Sequence, residues 1–110
     1  MSKPSDPFAA LAHPSRREIL TRLRERPGLT TGEIAAGFPA VTRPAISRHL
    51  AILRRSHLVR ARRHGRERHY SVDPAPLQHV YASYLQAFEP LWESSLANLK
   101  RVAEGPRADG

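Results

Sequence analysis

Between Thr42 and Leu53 the chain reads Thr-Arg-Pro-Ala-Ile-Ser-Arg-His-Leu-Ala-Ile-Leu. At helical spacing this run divides by angle. Ile46, Leu50 and Leu53 fall on one stripe. Pro44, Ser47, Arg48 and Ala51 fall toward the other side, with Arg43 at the N-terminal edge. Arg43 and Arg48 can each offer a pair of donors to a guanine edge. Thr42 and Ser47 can bond a phosphate or a base, and Ala51 presents no bulk against close approach. Such a helix fits the major groove of duplex DNA, where its N-terminal residues reach base edges.

A second cluster follows at once. Arg54, Arg55, Arg60, Arg62, Arg63, Arg66 and Arg68 stand against one acid, Glu67. Most charge runs are solvated faces, but here the period changes from helical to alternating. Val59 and Ala61 face one way and Arg60 and Arg62 the other; Tyr70 and Val72 alternate with His69 and Ser71. His64-Gly65 between them suits a tight hairpin turn. A basic hairpin tip beside a reading helix can lie along the DNA backbone or enter the minor groove. The expected DNA contacts are therefore Thr42, Arg43, Pro44, Ser47, Arg48 and His49 from the helix and Arg63, His64 and Arg66 from the hairpin.

Composition agrees with a polyanionic partner. The 110 residues carry 18 Lys and Arg against 10 Asp and Glu, a formal charge of +8, and the isoelectric point is about 11.2. Only Lys3 and Lys100 are lysines. A chain this short buries one thin core and leaves little volume for an enclosed active site. It has no cysteine, which excludes disulfides, thiolate metal sites and cysteine nucleophiles. No Gly-x-Ser-x-Gly, phosphate loop or paired carboxylates in an apolar pocket occur, so an enzyme is not expected. Mean hydropathy is −0.51. No apolar run approaches the ~18 residues of a membrane span, and Met1 to Asp6 lacks a signal-peptide core. A cytoplasmic, nucleoid-associated protein without membrane partners is expected.

The elements that must position these residues follow from punctuation. Phe8 to Ala12 reads as a short helix closing at His13-Pro14. Ile19, Leu20 and Leu23 then recur at helical spacing up to Pro27-Gly28. Thr30 and Glu33 form a capping-box pattern, and Gly37 can close that helix as a left-handed cap. Thr42 caps the helix Arg43–Ser56, with Pro44 tolerated in its first turn. Strands over Leu58–Arg63 and Glu67–Val72 make a two-stranded wing. Asp73-Pro74 opens a long amphipathic helix to about Ala103, which Pro90 should break or kink. The fold class is mainly α with a small β-hairpin, a winged helix-turn-helix. It is read as one DNA-binding domain over residues 1–110, with the helix-turn-helix over about 30–56, the wing over about 58–72 and dimerisation helices over about 8–26 and 74–103.

In the last helix Tyr81, Leu85, Phe88, Trp92, Leu96, Leu99 and Ala103 form one stripe, flanked by Val80, Tyr84, Leu91 and Val102. At ~1.5 Å per residue it would run about 40 Å, longer than a small domain is wide. Part of it must find apolar cover elsewhere, and Phe8 and Leu11 of a second copy are candidates. A homodimer is expected.

The run Thr42 to Leu53 resembles the recognition helix of the arsenic-repressor (ArsR) family of bacterial transcription regulators. Leu58-Val59, the basic turn at Gly65 and Tyr70-Ser71-Val72 resemble its wing, and Leu11 to Leu20 resembles its opening helices. The resemblance covers about Phe8 to Asp73. It implies a homodimeric repressor on an inverted-repeat operator. His57 stands where the family usually has Gly, so the exit from the recognition helix should differ slightly. Many members sense metals through a Cys-x-Cys pair whose positions here are Thr30 and Gly32, or through ligands on the last helix. Asp73, His79, Glu89 and Glu93 do not meet that second spacing. The six histidines show no His-x₃-His pair. The aromatic segment Phe88 to Glu93 resembles the non-metal members, called autorepressors. No metal or other cofactor is expected, and no effector is implied. The competing class is a sequence-independent architectural protein, or a winged helix that binds RNA or protein.

Overall fold

The computed structural model describes residues 6–93 and 101. The chain divides into two compact units, Met1–Gln78 and His79–Gly110. Leu96 and Leu99 of the expected apolar stripe, with Val102 and Ala103, lie outside the described residues.

In the first unit the order is α1 (Pro7–Leu11), α2 (Pro14–Glu25), β1 (Leu29–Thr30), α3 (Thr31–Ala36), α4 (Arg43–Arg55), β2 (Val59–His64), β3 (Glu67–Val72) and the start of α5 (Pro74–Ser83). A helix of five residues has little stability of its own, and α1 is held by side chains from α2. Arg16 Nε donates to the Ala10 carbonyl at 2.8 Å, and Arg17 Nη1 to those of Leu11 and Ala12 at 2.7 and 3.1 Å. These guanidiniums supply partners for carbonyls that the helix end leaves unmatched.

Thr30 and Glu33 form the expected capping box. The Glu33 amide reaches Thr30 Oγ1 at 3.2 Å and the Thr30 amide reaches Glu33 Oε1 at 2.9 Å. Hydrogen bonds from Thr30, the backbone one first, hold the Glu33 carboxyl below the usual carboxylate range. Gly37 departs from expectation. Its φ is −84°, in the right-handed region, so it is not a left-handed cap. Its lack of a side chain gives room to Arg22 instead: a Cβ would come within 2.7 Å of Arg22 Nη1 and displace that guanidinium. Arg22 bonds the Gly37 carbonyl at 3.1 Å and lies 5.0 Å above the Phe38 ring centroid, tying α2 to the turn before α4.

Thr42 caps α4, accepting from the Ala45 amide at 3.2 Å. At its other end Leu58 N–H bonds Leu53 O at 2.9 Å and His57 N–H bonds Arg54 O at 3.0 Å. This is a Schellman closure, and it requires a left-handed residue where His57 stands with φ +60°. The exit thus keeps the geometry a glycine would take, at a conformational cost to His57. Ser56 is the one fully buried polar residue among the described residues; its hydroxyl bonds Ile52 O at 2.8 Å.

The wing pairs Val59 with Val72 through His64 with Glu67. The loop is therefore Gly65-Arg66, one residue later than the sequence reading placed it. Gly65 has φ +65° and Arg66 does not, as a Gly-x turn of type II′ requires. The sheet also has a third strand. β1 pairs antiparallel with β3, Leu29 opposite Tyr70, giving the order β1-β3-β2. A two-residue strand carries no periodicity, so only its partner reveals it. The core gathers Ile19, Leu23, Ile34, Ile46, Leu50, Leu53 and Leu58, each almost wholly buried, with Val59 and Tyr70 from the wing. Each such side chain contributes about 1.5–3 kcal/mol on burial.

In the second unit the helix is interrupted, as Pro90 led one to expect, but the break begins earlier than that proline. After α5 the chain turns at Tyr84 (φ −137°, ψ −59°), forms a 3₁₀ segment Leu85–Phe88 and resumes as α-helix over 89–93. Pro90 has no N–H for the Gln86 carbonyl. The interruption consequently falls on the turn before it, and Pro90 sits near the start of the resumed helix. Within this unit Tyr81 and Trp92 rings lie 6.4 Å apart and Tyr84 and Phe88 rings 5.2 Å. Tyr81, Leu85 and Phe88 are exposed, Trp92 is half-buried and Val80 is buried. Leu11, in the first unit, is half-buried against that unit's own core, whereas Phe8 is exposed.

Candidate nucleic-acid interface

α4 turns Ile46, Leu50 and Leu53 into the core and leaves Thr42, Arg43, Pro44, Ser47 and Arg48 on the outside. The outward face has two edges. Arg43, Ser47, Ala51 and Arg54 line an open groove of about 640 Å³ whose opposite wall is Arg63, Arg66, Glu67, Arg68 and Tyr70 from the wing, and whose end is Thr30, Thr31 and Gly32 at the start of α3. Arg48, about 100° further around the helix, lies outside that groove on the other edge. Arg43 leans back toward α3: its Nη2 lies 3.5 Å from where a Gly32 Cβ would stand.

Five guanidiniums against one carboxylate give this groove a strongly positive field. Its width is set by the sheet, because β3 is bonded on one side to β2 and on the other to β1, which leads straight into α3. His69 strengthens that link: its Nδ1 lies 2.8 Å from the Gly28 carbonyl, and since a carbonyl only accepts, Nδ1 carries the proton.

His64 is exposed near the hairpin tip, its ring 6.1 Å from that of His69. His49 does not share the outward face. It is half-buried on the side of α4 toward α2, beside His13 and Arg16. Burial first, then the charges of His13, Arg16 and Arg48, push its pKa below the ordinary imidazole value.

The sequence reading missed Thr30, Thr31, Arg54 and Arg68 as members of this surface. Both arginines belong to the basic run, but nothing in a linear pattern brings them to the wall that Arg43 faces. Among the described residues no three His, Asp or Glu side chains converge as a metal site, and no helix is long and apolar enough to cross a membrane.

A short capped helix, a tight turn, a second helix with an exposed polar face and an arginine-rich wing define a winged helix-turn-helix DNA-binding protein. Known proteins agree. A helix-turn-helix domain family matches residues 11–62. The HTH-type transcriptional regulator Rv2034 of Mycobacterium tuberculosis is 43% identical over 106 residues, spanning 96% of this chain and 94% of the relative. The transcriptional repressor SdpR of Bacillus subtilis is 37% identical over 71 residues, 64% of this chain and 77% of that one. The ArsR-like transcriptional regulator from Rhodococcus sp. RHA1 superposes with a TM-score of 0.66 at 35% identity, over 91% of this chain and 89% of that one. The chain belongs to the ArsR-type family of winged helix-turn-helix transcriptional regulators. It is a DNA-binding regulator of transcription.

Proposed function

We propose that the chain acts as a homodimeric repressor that seats two copies of α4 in successive major grooves of an inverted-repeat operator. The observation that carries this reading is the continuity of the exposed α4 face with the arginine-lined groove. Arg48, clear of the groove, is the base-reading residue. Pro44 and Ser47, exposed beside it on the outward face, meet the floor of the DNA major groove. Thr42, Arg43, Arg54, Arg63, Arg66 and Arg68 line up along backbone phosphates, with His64 near the hairpin tip. The charge of Glu67 opposes that approach. Dimerisation is supported by the large apolar residues left exposed, Phe8 in the first unit and Tyr81, Leu85 and Phe88 in the second. Repression is supported by the name of the SdpR relative. No metal takes part in this reading: chelation leaves affinity unchanged.

Selection of bound duplexes from a random pool by the purified chain tests it. Two symmetric half-sites about 10–10.5 bp apart, or a multiple of that, are expected. A competition titration then sets the selected duplex against excess random duplex. Retained affinity supports a base reader, whereas equal competition would establish the architectural alternative.

A further inference from the structure

Arg16 joins three elements. Its Nε and Nη2 close the carbonyl end of α1, on Ala10 at 2.8 Å and Ala9 at 3.3 Å, while its Nη1 reaches Nδ1 of His49, midway along α4, at 3.3 Å. A guanidinium has donors and no acceptor, so His49 Nδ1 must present its lone pair. The ring is then neutral, with its proton on Nε2. The His13 ring lies against it, centroids 4.5 Å apart. His13 in turn uses its own Nδ1 to accept the Ser15 amide at 3.1 Å, capping α2.

We infer that Arg16 and His49 are positioning residues for the recognition helix, holding α4 against α1 and α2 only while His49 is neutral, so that acid loosens the DNA-reading element. The inference rests on α4 being that element. A proton on Nδ1 removes the acceptor and sets an imidazolium against a guanidinium. The charged and titratable groups facing the ring are His13 from the junction before α2, Arg16 from α2 and Arg48 from α4 itself; none can balance the new charge. Arg16 must then turn away, which also frees the α1 carbonyls.

His49 has a folded-state pKa below its unfolded value, so the folded state takes the proton less readily. The Arg16–His49 hydrogen bond makes its full contribution above the ordinary imidazole pKa of about 6.5 and is lost as pH falls from there through the lower folded-state value. Protonating histidines at a DNA surface normally adds cationic charge and tightens binding. The Arg16–His49 pair demands the opposite slope.

The test is affinity of the full chain for the selected duplex at constant salt, from about pH 8 down to about pH 5.5. Wild type should bind about tenfold more weakly at the acid end, the size of one charge-assisted hydrogen bond. His49→Gln offers an amide oxygen to Arg16 and takes no proton in this range, so its affinity should hold or rise in acid, as the remaining histidines gain charge, whatever its absolute value. Wild-type affinity that holds or rises in acid, or an equal slope in His49→Gln, overturns the inference. A second measurement needs no DNA: the ring titration of His49 by NMR. Its pKa should lie below the ordinary value in wild type and rise toward it in Arg16→Met; no change between the two overturns the pairing. A wild type that binds no duplex at any pH would instead sink the reading of α4 itself, with the ring titration still deciding the pair.

Discussion

Residues 43–72 and residues 79–92 treat their apolar side chains in opposite ways. In the first stretch Ile46, Leu50, Leu53 and Leu58 are no more than 1% exposed, and the outward surface is dominated by arginine. In the second, Tyr81, Tyr84, Leu85, Phe88 and Leu91 are between 39% and 68% exposed. The first has a finished interior and a charged exterior. The second presents aromatic and aliphatic surface of the kind soluble chains cover by association. A regulator that reads two half-sites needs both: a module that stands alone on DNA, and a surface that brings a second module to a fixed distance.

The largest expected effect breaks the second region. Phe88→Asp places a charge in the exposed aromatic cluster. It should shift the chain from dimer to monomer in sedimentation and cost about a thousandfold in operator affinity, since a single half-site retains little beyond non-specific binding. Thermal unfolding of residues 1–78 should barely change. A wild type that sediments as a monomer at micromolar concentration would remove the contrast altogether.

Ile46→Ala breaks the first region from inside. It opens a cavity where α4 meets the core and should lower unfolding free energy by about 3 kcal/mol in denaturant titration. The corresponding truncation Leu85→Ala, at an exposed position, should change monomer stability far less. Equal destabilisation would mean that both regions are interior.

Smaller changes sharpen the division of labour within the first region. Arg48→Ala should cost about 1–3 kcal/mol on the operator and shrink the ratio of operator to random-duplex affinity. Arg66→Ala should preserve that ratio while lowering the slope of log affinity against log salt by about two per dimer, one for each phosphate that Arg66 no longer neutralises. If Arg48→Ala weakened both duplexes equally, α4 would be positioning the protein rather than reading sequence.

The smallest effect concerns the joint between α4 and the wing. His57→Gly relieves a left-handed φ and should stabilise the chain by roughly 0.5–1 kcal/mol, part of the relief being offset by the freer unfolded chain. A denaturation midpoint that falls would show that the His57 side chain has a role of its own.

Much of this was legible in linear order because it depends on local rules. The capping box at Thr30 and Glu33, the Thr42 cap, the buried stripe of α4 and the alternation of the wing are all set by neighbours within four residues. Where a neighbour came from far away, local reading slipped. Gly37 looked like a left-handed cap, yet its small size serves the Arg22 guanidinium arriving from α2. Pro90 marked a break, but the interruption spreads back to Tyr84.

Sequence alone determined that this is a basic winged helix-turn-helix chain with one helix divided between an apolar and a polar side, because amphipathic period and capping chemistry are written in adjacent residues. Tertiary structure decided which arginines share a wall, since the wing returns beside α4 only through the pairing of β3 with both β1 and β2. It also moved His49 from the expected DNA surface to a half-buried place against Arg16. A helical angle says which way a side chain leaves its helix; what it meets there depends on how the other helices pack.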